Sequence, residues 1–170
     1  MTGVGKLALR ATVGGYFLGH GMQKLAGWFG GAGLDATAGG FEKMGMRPGK
    51  LHATAAGVAE AGGGALLISG LANPLAGAML TGVMTTAVEK VHLKNGVWVA
   101  KGGFEYNLVL VAALFAVTAE EDGTAWALAQ LAAGVAGGLA ASRLPAPEQI
   151  VSSGRFERAE ERVPTGSTAG

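Results

Sequence analysis

The chain has 170 residues, 31 of them glycine and none cysteine, with a formal net charge of +1 and a mean hydropathy of +0.36. Only 15% of the residues are charged and 49% are hydrophobic, against about 25% charged in an ordinary soluble domain, so a conventional soluble globule is excluded. No basic stripe exists to neutralise phosphates, which argues against nucleic acid as a partner, and the absence of cysteine excludes disulfides, thiolate metal sites and cysteine-held iron–sulfur clusters. The glycines sit among Ala, Leu and Val without a three-residue period, a pattern that suits helices packed closely in lipid.

A helix needs about 20 mostly apolar residues to cross a bilayer, and five stretches approach that length, at about 6–27, 51–72, 74–93, 103–119 and 124–142. The first places Lys6 and Arg10 ahead of an apolar run, as a signal peptide does. His20 and Lys24 interrupt that run and no small-residue cleavage site follows, so a retained helix is expected. Residues 28–50 then form a long connection containing Trp28-Phe29-Gly30-Gly31, Phe41-Glu42 and Arg47-Pro48-Gly49, of a length that is usually functional or partly structured. Asn73-Pro74 marks a tight turn between the second and third helices, and no charge occurs from Ala61 to Val88.

The acidic break Glu120-Glu121-Asp122-Gly123 separates the fourth stretch from the fifth, whose Ala and Gly content leaves it either spanning or lying against the bundle. The expected architecture is all-α: a transmembrane four-helix bundle with an additional C-terminal apolar helix over residues 1–142, and a disordered tail over 143–170. Antiparallel helices place Lys24, Lys43, Arg47, Lys50, Lys90, Lys94 and Lys101 at one end and Lys6 and Arg10 at the other. The positive-inside rule then puts the first and third loops in the cytoplasm.

The same antiparallel arrangement gathers polar groups into one half of the bundle: His20 and Lys24 on the first helix, His52 and Glu60 on the second, Glu89 and His92 on the third, Glu105 and Tyr106 on the fourth. Ionisable groups at membrane depth are costly and face a partner or a cavity, which makes them functional candidates. Glu60 stands near mid-membrane, flanked by Ala56 and Gly64 on its own face, and Thr81, Thr85, Glu89 and His92 form a stripe that is expected to face the same pocket. Two readings stay open. In one, Glu60 with His20 or His92 binds a small ligand or a quinone head group or relays protons; in the other, Glu60 pairs with His20 or Lys24 and locks helices together while the remaining groups are interfacial.

Glu89-Lys90-Val91-His92 has the Glu-x-x-His spacing of di-iron bundles, which require two copies and two further carboxylates, so no metal site is expected. The three histidines show no pairing that argues for haem, and Trp28, Phe29, Trp98 and Trp126 near helix ends read as an aromatic belt. No nucleophile triad, phosphate-binding loop or dinucleotide fingerprint appears, so no catalytic residue is assigned. The Gly57–Ala61 and Gly134–Gly138 spacings suit self-association into a homo-oligomer.

Gly19-His20-Gly21-Met22-Gln23-Lys24-Leu25, then Gly27-Trp28-Phe29-Gly30-Gly31, Glu60 with Gly62-Gly63-Gly64, and Gly102-Gly103-Phe104-Glu105-Tyr106-Asn107 together resemble the DoxX family of small bacterial membrane proteins, over about residues 6–120. The resemblance implies a four-helix membrane bundle in the bacterial plasma membrane, so the fifth stretch and the tail are an extension. It also implies a subunit or accessory factor of a membrane oxidoreductase or quinone-linked stress system, with a non-covalently bound quinone and membrane or peripheral redox proteins as partners. A membrane adaptor that organises other proteins, and a small-solute or proton pathway, are the alternatives.

Overall fold

In the computed structural model, which describes residues 3–145, six α-helices carry the fold and no strand occurs among the described residues. They are α1 (Gly3–Ala26), α2 (Gly33–Lys43), α3 (Gly49–Ser69), α4 (Asn73–Ala87), α5 (Glu105–Glu121) and α6 (Thr124–Arg143). The long first connection therefore contains a helix of its own. Beyond Pro145, the expected tail lies outside the described residues. The breaks follow local chemistry: Gly70, at φ +76°, ends α3 in the left-handed conformation that glycine tolerates, and Pro74 opens α4 where a missing N–H costs nothing.

Helices α1, α3, α4 and α5 surround a core of Val13, Phe17, Leu67, Ala76, Leu80, Met84, Leu114 and Val117. Antiparallel α1 and α3 approach to backbone contact. A Cβ at Gly21 would strike Ala61 and the Gly57 carbonyl, and one at Gly64 would strike Gly14 and Leu18, so side-chain-free positions on both helices set their separation.

Helix α6 lies parallel to α4, with each contact displaced by a constant register: Gln130 against Gly77, Gly134 against Thr81, Gly138 against Thr85, and Ser142 bonded to Glu89. Thr86 Oγ1 also donates to the Gly138 carbonyl at 3.1 Å. Three members of the stripe expected to face a pocket, Thr81, Thr85 and Glu89, are thus turned onto α6, because the glycine-rich face of α6 comes close enough to meet them. The glycine spacings at 57 and 134 are used within the chain in the same way.

At the end of the bundle holding the α3–α4 turn, a polar clamp joins four helices. Arg10 of α1 donates to the Leu67 and Ile68 carbonyls at 2.8 and 3.0 Å, satisfying two acceptors in the last turn of α3, and to Glu121 of α5 at 3.1 Å. Asn73 at the start of α4 donates to the same carboxylate at 2.5 Å, and Lys6 approaches it at 3.5 Å.

Burial pushes the Glu121 carboxyl up, but the hydrogen bond and charge of Arg10, with Asn73 and Lys6, outweigh it and hold the group below the usual carboxylate range. A carboxyl depressed in the folded state stabilises the fold above its ordinary value near 4.5 and loses that contribution as the pH falls through its folded value. The melting temperature in detergent is expected to fall on acidification below that value, and to fall less in Glu121→Gln. For the helix contact, Gly21→Ala is expected to cost about 1–3 kcal/mol by overpacking. Gly19→Ala on the same helix, where an added Cβ meets nothing within 4 Å, is expected to be neutral or to gain about 0.5–1 kcal/mol in thermal denaturation.

Candidate functional site

The α1–α3 contact brings Lys24 of α1 to Glu60 of α3, and Lys24 Nζ donates to Glu60 Oε2 at 2.6 Å. The two partners are unequally buried. The Glu60 side chain is 5% exposed and that of Lys24 26%, because Glu60 sits mid-helix whereas Lys24 reaches inward from the last turn of α1.

The ion pair lines two clefts. The smaller, about 250 Å³, lies between α1, α4 and α5 and is lined by His20, Lys24, Glu60, His92, Tyr106 and Asn107, with Phe17, Val99 and Leu110 as apolar wall. The larger, about 440 Å³, runs between α3, α4 and α6 and is walled chiefly by Ala, Gly and Met. Lys24, Glu60, Met84 and Ala87 bound both.

Five of the seven residues singled out from the sequence, His20, Lys24, Glu60, His92 and Tyr106, therefore meet around the smaller cleft. The other two lie elsewhere. Glu105 accepts the Val99 backbone N–H at 2.8 Å, bracing the connection before α5, and Glu89 is held by Ser142 and by Arg143 Nε at 3.0 Å. The cause of the split between Glu89 and His92 is a π-helical turn, Val88–His92, that continues α4. The wider turn changes the helix phase, so the two residues serve α6 and the cleft respectively, and the Glu-x-x-His spacing does not make a joint site.

His92 Nδ1 lies 2.7 Å from the Gly102 carbonyl, which can only accept, so Nδ1 carries the hydrogen and Nε2 is the ring atom left for exchange. His20 Nδ1 lies 3.0 Å from Gln23 Oε1. Asn107 is a residue that the sequence reading passed over as a site: it is buried, lines the smaller cleft, and its Nδ2 sits 3.3 Å from Met84 Sδ. Its position next to Tyr106, one residue into the same turn of α5, was the available signal.

A family model for DoxX matches residues 5–93, from α1 through the π turn. The chain belongs to the DoxX family. No curated protein and no solved structure matches it. As a DoxX-family membrane protein it contacts the lipid bilayer, and α3 and α6 are each long and apolar enough to cross one. The matched region of DoxX supplies His20, Lys24, Glu60 and His92, whereas Tyr106 and Asn107 come from α5, beyond it.

The ion pair gives an asymmetric expectation. Lys24→Met leaves a carboxylate that is only 5% exposed without its partner and should cost about 3–5 kcal/mol, whereas Glu60→Gln leaves an ammonium free to swing outward and should cost less. Melting of both single variants and of the Lys24→Met/Glu60→Gln double variant checks this: the double variant should recover most of what Lys24→Met loses.

Proposed function

We propose that this DoxX-family protein is a multi-pass protein of the bacterial plasma membrane that acts as a quinone-interacting subunit or accessory factor of a membrane oxidoreductase system. The observation that carries the reading is the smaller cleft, where proton donors and acceptors surround a space with apolar walls. A quinone supplies two-electron chemistry coupled to two protons, and its head group has two carbonyl oxygens that need donors. Lys24 and the Tyr106 hydroxyl can donate to such oxygens; Glu60 and His92 Nε2 can hold or deliver the proton. Phe17, Val99 and Leu110 match the ring faces. The electrons come from a partner redox protein.

Seven of the basic residues, from Lys24 to Lys101, fall at the end of the bundle where α1 ends and α3 begins, and this supports a cytoplasmic placement of the first and third loops. Protein purified in mild detergent is expected to retain quinone and to bind a short-chain quinone analogue. Tyr106→Phe, at a residue 48% exposed, should weaken that binding about two- to tenfold, the weight of one hydrogen bond, and Glu60→Gln should weaken it further. Absence of retained quinone together with unchanged analogue binding in both variants would overturn the proposal.

A further inference from the structure

The larger cleft has a shape of its own. Helices α3 and α6 both pack on α4 without packing closely on each other, which leaves a groove running along α4. Ala55, Ala56 and Ala59 form one wall, Ala133, Gly137 and Ala141 the other, and the floor extends from Ala78 to Lys90. At 1.5 Å per residue that floor is roughly 18 Å long, close to one leaflet of a hydrocarbon core about 30 Å thick. The groove follows the direction in which an acyl chain lies.

Two polar groups stand at one end of this apolar slot. Gly62 packs against Met79 and Gly63 against Leu80 across the α3–α4 turn, and the same antiparallel pairing brings position 52 level with position 90. His52 is only 7% exposed and stacks on Phe41, with ring centroids 6.4 Å apart and planes 11° from parallel. Its ring nitrogens have no hydrogen-bond partner among the described residues, although it lines the groove. Lys90 lines the groove at the same level, aimed there by the π turn, and likewise has no hydrogen-bond or ion-pair partner among the described residues. The one carboxylate in the groove, Glu60, lies deeper and is matched by Lys24.

We propose that the groove binds an anionic phospholipid of the leaflet at the basic end of the bundle, with its phosphate on His52 and Lys90 and one acyl chain along the Ala, Gly and Met walls. Both side chains line the groove without a hydrogen-bond partner among the described residues, and a basic pocket between membrane helices is the chemistry that recognises an anionic head group. Two further carboxylates stand near this end: Glu42, which accepts the Gly49 N–H at 3.4 Å, and Glu89, which feels the charge of Lys90 but is hydrogen-bonded by Ser142 and Arg143.

The test is native mass spectrometry of the full chain, delipidated and then offered phosphatidylglycerol or phosphatidylcholine with identical chains. Preferential retention of phosphatidylglycerol is expected. Lys90→Gln should reduce it about fivefold, the weight of one basic residue at an anionic surface, and His52→Gln should reduce it as well. Gly137→Leu, which fills the groove where an added Cβ meets nothing, should reduce retention of both lipids. Lys94→Gln, exposed at the same end outside the groove, should change nothing. Equal retention of the two lipids, an equal effect of Lys94→Gln and Lys90→Gln, or full retention in Gly137→Leu would overturn the proposal. Lys90 has no partner to lose, so its variant remains informative even if His52→Gln fails to fold.

Discussion

The structure depends on the backbone-to-backbone approach of α1 and α3. In lipid, apolar side chains gain little by leaving their solvent, and helices associate through close packing and polar contacts. Gly14, Gly21, Gly57 and Gly64 remove the side chains that would hold the two helices apart. Only at that separation does Lys24, at the end of one helix, reach Glu60 in the middle of the other. The ion pair in turn bounds both clefts, so the glycines of α1 and α3 determine the position of the chemistry without taking part in it.

The π turn at the end of α4 does the complementary work of distribution. Within Val88–His92, Glu89 goes to α6, Lys90 to the larger groove and His92 to the smaller cleft. A regular helix at that place would keep Glu89 and His92 on neighbouring positions of one face. The extra residue in the turn lets one short segment serve three environments, which fits the frequent occurrence of such turns at functional sites.

Much of this was legible from residue order alone. Scarce charge and apolar runs indicate helices in a bilayer, and antiparallel alternation is enough to gather His20, Lys24, Glu60, His92 and Tyr106 in one half of the bundle. The pairing of Lys24 with Glu60 was among the open alternatives, since no local rule ranks it above His20. Other features depend on contacts distant in sequence. Nothing near Glu89 announces Ser142, because the α4–α6 register is set by glycines of a helix that had looked weakly driven to insert. The π turn carries no proline or glycine to mark it, and α2, although amphipathic, is too short and too weakly apolar on average to read as a membrane-length helix. The larger groove exists only once α6 is in place, so no reading of α1 to α4 would show it.

The parallel register of α4 and α6 also has a meaning in time. Glu89 and Ser142 are neighbours in space but are separated by 53 positions of chain. At about 5–20 residues per second, synthesis takes roughly 3–10 s to cover that interval. During that interval α4 carries Thr81 and Glu89 on a face whose eventual cover has not yet been made. Until α6 is made, Glu89 has neither Ser142 nor Arg143 beside it, so the polar contacts that fix this end of α4 are the last of the chain to become available.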